Sequence, residues 1–290
     1  RVAHPDSSQK GLQAVVQART CGLVSSRRTW RPGSPPPIDG AYRVVVFDLT
    51  DRTALVTGAG QNIGSGIARA LAAQGAIVHV NDIVAERAEA VAGSIRSAGG
   101  RAEAVPFDVT GIDAVAAAVD AIGAVDVLVN NAGNGGAGGM TLTPFHDLSP
   151  DAWSGIIDVN LYGVLNCCHA VLGGMVERGW GRIVTISSLA GTMGTRVGVT
   201  PYSAGKGGAM AFVRSLALEN SRNGITANSI ALGLMGTGTP TSLGDIARSI
   251  PVGRLGTPED VGALCVYLSS DEASWVTAQT IHLDGGTSPT

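Results

Sequence analysis

From Leu49 onward, short apolar runs recur, each closed by a small or polar turn and followed by a stretch with apolar residues at helical spacing. Thr53-Ala-Leu-Val-Thr57 runs into a glycine-rich turn, and Ile63, Ile67, Ala70 and Leu71 then mark one face of a helix. Ile77-Val-His-Val80 ends in Asn81-Asp82 and precedes a helix-favouring stretch from Ala85 to Ala98. Ala104-Val-Pro-Phe107 ends in Asp108-Val109, and Val125-Asp-Val-Leu-Val129 ends in Asn130-Asn-Ala-Gly133. A long helical region from Asp151 to Arg178, a strand Arg182–Ile186, a helix from near Tyr202 to about Ser221, and a strand Ile225–Ile230 follow. Thr257 as N-cap with Pro258 at the first helical position opens another helix, and Thr280-Ile-His-Leu-Asp284 closes the series. Strands alternating with helices require right-handed crossovers, which gives an α/β, Rossmann-like, doubly wound parallel sheet in a single domain. Ligands of such sheets bind at the carboxyl ends of the strands.

Composition agrees with helices packed closely on a parallel sheet. Of 290 residues, 44% are hydrophobic and only 4% aromatic, while 41 are glycine, so the core is aliphatic with close backbone approaches. A formal net charge of −3 leaves no electrostatic footprint for nucleic acid, and a small-molecule partner is expected. Cys21, Cys167, Cys168 and Cys265 have neither disulfide-framework nor metal-ligand spacing, so a reducing, cytoplasmic location and no metal site are expected. No run approaches the ~18 consecutive apolar residues of a membrane span.

Residues 1–43 differ from the rest. They are basic, weakly periodic, and contain Arg31-Pro-Gly-Ser-Pro-Pro-Pro37, and they read as a disordered or non-native N-terminal extension before a dinucleotide-binding catalytic domain at 44–290.

Four turns at strand ends carry chemistry. In Thr57-Gly58-Ala59-Gly60-Gln61-Asn62-Ile63-Gly64, glycines let the backbone approach a pyrophosphate that the helix N-terminus then stabilises. The spacing departs from Gly-x-Gly-x-x-Gly, because three residues separate Gly60 from Gly64. Asp82, ending the next run, can accept hydrogen bonds from an adenosine ribose and repel a 2′-phosphate; a solvated turn aspartate is the plainer alternative. Asp108 and Val109 can meet the adenine edge, though Asp108 is equally a normal helix cap. The amides of Asn130 and Asn131, with Ala132 and Gly133, would tie strands together beneath a cofactor, or form a plain Asn-Gly turn. Finally, Tyr202 and Lys206 stand four apart at a helix start and share a face, fourteen positions (202 minus 188) after Ser188. A cation beside a phenol favours the phenolate and lowers a pKa that otherwise sits near ~10.

In these segments and their order, together with Asn160 and the ending Leu283-Asp-Gly-Gly286, the chain resembles the short-chain dehydrogenase/reductase family from Leu49 to Gly286. Gly253-Arg-Leu-Gly-Thr-Pro-Glu-Asp260 is similar to the subgroup holding 3-oxoacyl-acyl-carrier-protein reductases and many sugar, polyol and steroid alcohol dehydrogenases. The resemblance implies Tyr202 as general acid/base, Lys206 as its pKa-lowering partner and a ligand of the nicotinamide ribose, and Ser188, rather than Ser187, as donor to the substrate oxygen. It implies that Asn160 holds a water connecting Lys206 to solvent. Cofactor contacts are expected from Gly58, Gln61, Asn62, Ile63, Gly64, Asp82, Asp108, Val109, Asn131, Ala132, Gly133, Tyr202, Lys206, Gly233 and Thr237. Asn62 replaces the family's usual middle glycine, and Leu232 its usual proline before Gly233. Gln61 and Asp82 occupy places where relatives that prefer NADP carry Arg or Lys, so NAD is expected.

The expected reaction is hydride transfer between NAD(H) and a secondary alcohol or ketone. The alternatives are an NADP-dependent 3-oxoacyl thioester reductase and a dinucleotide-binding regulator without catalysis. Residues 234–250 are expected to form a lid, and Met140, Leu142, Met193, Val197 and Met235 to wall the pocket. The subgroup's habit and the small-residue face Ala204, Gly207, Gly208, Ala211 point to a homotetramer. Deleting residues 1–40 is expected to leave turnover and melting temperature unchanged; a large loss of either contradicts the reading of that segment.

Overall fold

The computed structural model describes residues 46–133, 142–236 and 244–289. Strands β1 (Thr53–Val56), β2 (Ile77–Val80), β3 (Arg101–Ala104), β4 (Val127–Asn130), β5 (Gly181–Ser188), β6 (Ile225–Leu232) and β7 (Thr280–Leu283) form one parallel sheet in the order β3-β2-β1-β4-β5-β6-β7. Helices α1 (Asn62–Ala73), α2 (Ala85–Ser97), α3 (Ile112–Ile122), α4 (Pro150–Ile157), α5 (Gly163–Arg178), α6 (Thr200–Asn220), α7 (Gly244–Ser249) and α8 (Pro258–Ser269) lie between them. The chain moves outward from β1 through β2 to β3 and then returns to place β4 on the other side of β1. That reversal opens a crevice above β1 and β4.

Alternation along each strand divides the core. Ala54, Val56, Val78, Val80, Val127 and Val129 pack with Ile67 and Leu71 of α1, Val91 and Ile95 of α2, and Val261, Cys265 and Leu268 of α8. Leu55, Leu128, Ile183 and Ala227 face the other way, against Val115 and Val119 of α3, Cys167, Val171 and Met175 of α5, and Val213 and Leu216 of α6. Both faces of the sheet are therefore covered, which is why its inner strands read as continuous apolar runs. Helices α1 and α8 approach through glycine: a Cβ on Gly66 would stand 2.4 Å from Pro258 Cβ, and one on Gly262 2.8 Å from Ala70 Cβ. Thr257 and Asp260 form a reciprocal capping box at the start of α8, with Pro258 in the first turn.

Several expectations shift. The third strand is Arg101–Ala104, ahead of the expected 104–107: Val105 N still bonds Val80 O at 2.9 Å, but Pro106 has no N–H with which to continue the ladder. Strand β5 runs past the expected Ile186 to Ser188 and β6 past Ile230 to Leu232, so the serine pair ends β5. The expected long helix from Asp151 to Arg178 is broken by a π turn at Asp158–Tyr162, where one extra residue per turn is accommodated around Asn160. Although no run of consecutive apolar residues reaches spanning length, the 29-residue segment Pro150–Arg178 holds an 18-residue window of mean hydropathy 1.3, long and apolar enough to cross a membrane by length and composition. Its buried residues Val164, Cys167, Cys168, Val171 and Met175 pack on the sheet, as in a core helix. Of the small-residue face on α6, Gly207 already lies against Gly191 and Gly208 against Leu161, within this chain, while Ala204 and Ala211 stay exposed.

Candidate active site

The turn between β1 and α1 is folded by polar ties to three neighbouring strand ends. Thr57 Oγ1 accepts from Asn131 N and Ala132 N, both at 3.0 Å, and Asn131 Nδ2 donates to Thr57 O and Gly58 O, both at 2.9 Å. Asn81 Oδ1 accepts from Gly58 N at 3.3 Å, and its Nδ2 donates to Val105 O and Phe107 O. Asn130 Nδ2 donates to Thr185 Oγ1 of β5 at 3.3 Å. The paired asparagines thus tie strands together, as expected. Asn81 was missed: a buried asparagine at a strand end gives no local sequence signal of the two segments it joins.

Glycine is required at two points of this turn. Gly58 has φ +59°, and a Cβ there would lie 2.8 Å from Ala132 Cα; a Cβ on Gly64 would lie 2.4 Å from Gly58 O. Asn62 takes φ +47°, the left-handed conformation that asparagine tolerates better than other non-glycine residues. Gln61, the N-cap of α1, makes no side-chain capping bond, so the free first-turn N–H groups and the positive end of the helix face the crevice.

That crevice is a cleft of about 710 Å³. At one end lie Asn81, Asp82, Arg87, Phe107, Asp108 and Val109; at the other Ser188, Tyr202, Lys206, Gly233, Leu234 and Met235, with the glycine turn and Asn131 to Gly133 between. The structure therefore brings together every expected cofactor contact except Thr237, which lies outside the described residues. Asp82 is buried and already accepts from Gly60 N at 3.1 Å and Val84 N at 3.0 Å. Asp108 accepts from the backbone and hydroxyl of Thr110, both at 2.9 Å, so its turn-capping role exists alongside its place in the cleft.

Of the expected pocket wall, Val197 and Met235 line the cleft. Leu142 and Met193 are exposed, 63% and 45% accessible, and are not among the residues lining the cleft. Met140 and positions 237–243 of the expected lid are outside the described residues. Leu189, Val199 and Leu234 complete the apolar side near Tyr202, and Thr287 enters from the turn after β7. None of these had been singled out as a wall, since their side chains reach the cleft only through the tertiary fold.

The reacting end is organised by α6 standing over the end of β5. Ser188 Oγ accepts from Ala190 N at 3.2 Å, and Ser188 and Tyr202 both line the cleft. Ser187 points the other way and donates to Lys206 O at 3.2 Å, which separates the two serines physically. Lys206 Nζ donates to Ile186 O at 2.8 Å and lies 5.9 Å from the Tyr202 ring centroid. Behind it, Asn160 in the π turn donates from Nδ2 to Ile156 O at 2.8 Å. A Cβ on Gly133 would fall 2.6 Å from Asn160 Oδ1 and 2.7 Å from Lys206 Nζ, so the carboxamide oxygen and the ammonium flank one point that only a glycine leaves open.

Electrostatics corrects the simple picture of a cation depressing a phenol. Burial raises the pKa of Tyr202, and hydrogen bonding with Ser188 opposes this; Lys206 is engaged by Ile186 O. Burial pulls Lys206 itself down to about 8 from its ordinary 10.5. Near neutral pH the site therefore holds a protonated phenol and a largely protonated but labile amine.

A cleft at the carboxyl ends of a doubly wound sheet, with a glycine cradle, an uncapped helix N-terminus and a tyrosine-serine-lysine cluster, defines a nucleotide-dependent oxidoreductase. The family described as enoyl-(acyl carrier protein) reductase matches residues 58–288. The chain is 39% identical over 250 residues to an acetoacetyl-CoA reductase of Shinella zoogloeoides, covering 81% of this chain and 98% of that protein. It resembles the solved 3-oxoacyl-[acyl-carrier protein] reductase of Brucella melitensis with bound NAD (TM-score 0.78, 33% identity, 84% and 94% of the two chains). A gluconate 5-dehydrogenase of Burkholderia cenocepacia in complex with NADP and tartrate is similarly close (TM-score 0.76, 34% identity, 83% and 96%). The chain belongs to the short-chain dehydrogenase/reductase family and is an oxidoreductase acting on CH–OH or keto groups with a nicotinamide dinucleotide.

The burial of Lys206 has a sign that stability can read. Between pH 8 and 10.5 the unfolded chain holds more protons on this amine than the folded one, so its destabilising contribution is full below about 8 and fades as pH rises to 10.5. The unfolding free energy of Lys206→Met minus that of the wild type should therefore become more negative by at least 1 kcal/mol, on the order of one pKa unit, between pH 7.5 and 10. Urea denaturation of both proteins across that range checks it, and a pH-independent difference contradicts it.

Proposed function

We propose that this enzyme transfers hydride between NAD(H) and a secondary alcohol or ketone, with Tyr202 as the general acid/base. The observation that carries the reading is the meeting of Ser188 and Tyr202 in the wall of the cleft, with the Lys206 ammonium 5.9 Å from the Tyr202 ring and one helical turn on. The cradle at Gly58 and Gly64, the uncapped start of α1 and the length of the cleft fit a dinucleotide laid from Asp82 to Tyr202. The bound nicotinamide supplies the hydride acceptor for an alcohol or the hydride donor for a ketone.

In reduction, Tyr202 gives its hydroxyl proton to the carbonyl oxygen as negative charge develops there, while the Ser188 hydroxyl donates a hydrogen bond to the same oxygen. The raised pKa of the phenol keeps that proton in place at neutral pH. In oxidation the proton moves from the alcohol to Tyr202, and Lys206 stabilises the phenolate form. Asn160, flanking the gap beside Gly133, places a carboxamide oxygen next to Lys206, where a water can hand protons onward. Leu189, Val197, Val199 and Met235 keep the reacting end apolar, which strengthens these interactions.

NAD is favoured over NADP by the buried carboxylate of Asp82 at the adenosine end. A second reading, an NADP-dependent 3-oxoacyl thioester reductase, draws support from the names of similar proteins but meets that carboxylate. The wild type should show at least a tenfold kcat/KM preference for NAD, about 1.4 kcal/mol of discrimination; steady-state kinetics giving equal use of the two cofactors refutes it. Tyr202→Phe keeps the ring and removes the acid, and at least a 100-fold loss of turnover is expected on any alcohol or ketone that the wild type accepts. Near-normal turnover in that variant rejects Tyr202 as the acid.

A further inference from the structure

Only two of the described residues lining the cleft are cations, Lys206 at the reacting end and Arg87 at the adenosine end. Arg87 sits in the first turn of α2, exposed, and its guanidinium makes no hydrogen bond or ion pair with the described residues. A Cβ built on Gly60 would lie 2.6 Å from Arg87 Cβ and 2.6 Å from Asp82 Oδ2, so the two side chains border the same spot with opposite charge. Asp82 is fixed there by the Gly60 and Val84 N–H groups, whereas Arg87 is held only by its backbone. The N-cap of α2, Val84, offers no side-chain cap, so the positive end of this helix adds to the charge of Arg87.

These charges answer different ligands. A free ribose 2′-hydroxyl can donate to Asp82, and it offers the donors of Arg87 only a neutral hydroxyl oxygen. A 2′-phosphate, carrying nearly two negative charges, is repelled by Asp82 and suited to a guanidinium that can bind it in a bidentate way. We propose that Arg87 is a ready-made anchor for a 2′-phosphate that Asp82 overrules, so that removing one charge, Asp82→Asn, reverses cofactor preference from NAD to NADP. This rests on the placement of a nicotinamide dinucleotide along the cleft with its adenosine ribose beside Asp82. The carboxamide can keep one acceptor for the backbone N–H groups that the aspartate now satisfies. Without Arg87 the same substitution would only erase the discrimination. With it, the cleft already contains both specificities, one masked.

The test is kcat/KM for NAD and NADP, and dissociation constants for both and for adenosine 2′-monophosphate, in the full-length wild type, Arg87→Ala, Asp82→Asn and the double variant. Asp82→Asn is expected to prefer NADP at least fivefold, and adding Arg87→Ala should cut that NADP-to-NAD ratio at least tenfold. An Asp82→Asn enzyme with no gain in its NADP-to-NAD ratio, or a double variant that keeps the gain, overturns the anchor. Should Asp82→Asn disturb folding, the single Arg87→Ala variant still decides. It should weaken NADP and adenosine 2′-monophosphate at least tenfold more than NAD, and equal weakening of all three overturns the proposal. A wild type that prefers NADP refutes the NAD assignment made above and overturns the masking by Asp82 with it, whereas a wild type that prefers NAD but whose Arg87→Ala variant loses NADP no more than NAD overturns the anchor alone.

Discussion

Burying the Lys206 ammonium is the constraint on which the reacting end of this enzyme depends. Taking a charged amine out of water costs several kcal/mol unless polar groups replace the solvent, and here the Ile186 carbonyl near the end of β5 accepts from it. To put that carbonyl in reach, α6 must cross β5 at its carboxyl end, which in turn brings Tyr202 over Ser188. The π turn then delivers the Asn160 carboxamide to the far side of the amine, at a gap that Gly133 keeps open. Four elements, β4, β5, α6 and the π turn, thus converge on one nitrogen. A register shift of one residue would turn a side chain on α6 by about 100° and send one on β4 or β5 to the opposite face of the sheet.

How much of this was legible in the chain depends on the range of the signal. The seven strands and the glycine turn announce themselves locally, through runs such as Val127-Leu-Val129 and through the positive φ that Gly58 and Asn62 supply. Tyr202, Lys206 and Ser188 were legible as a pattern, because a helix face and a strand end are enough to set them together. Nothing local, however, tells Ser187 from Ser188 except alternation along the strand: the first donates to the α6 backbone at Lys206 O, and the second accepts from Ala190 N in the turn after β5. The π turn was read as uninterrupted helix because its cause is tertiary, the seating of Asn160 beside Lys206.

The direction of the pKa shifts was the deepest misreading. Spacing alone puts a cation beside a phenol and suggests a depressed phenol. Burial acts on both groups and reverses the emphasis: the phenol rises, and the amine gives up proton affinity. Desolvation depends on how much protein surrounds a group, which sequence spacing does not encode. The functional consequence is that the resting site stores its proton on the tyrosine and its readiness to lose one on the lysine. Such a division suits a site that must work in both directions, because neither state is locked.

The two ends of the cleft answer different physical demands and are built differently. At the reacting end, Lys206 and Asn160 are buried and hydrogen-bonded to backbone carbonyls, and Ser188 and Tyr202 are half-buried on regular elements, since proton transfer requires atoms placed to within a few tenths of an ångström. At the adenosine end, Asp82 is pinned by two backbone N–H groups while Arg87 projects from the first turn of a helix into solvent. Recognition of an adenosine ribose needs charge and shape, with no bond to be made or broken. A fixed anion beside an untethered cation is therefore sufficient there, and it leaves cofactor choice open to change without disturbing the geometry around Tyr202.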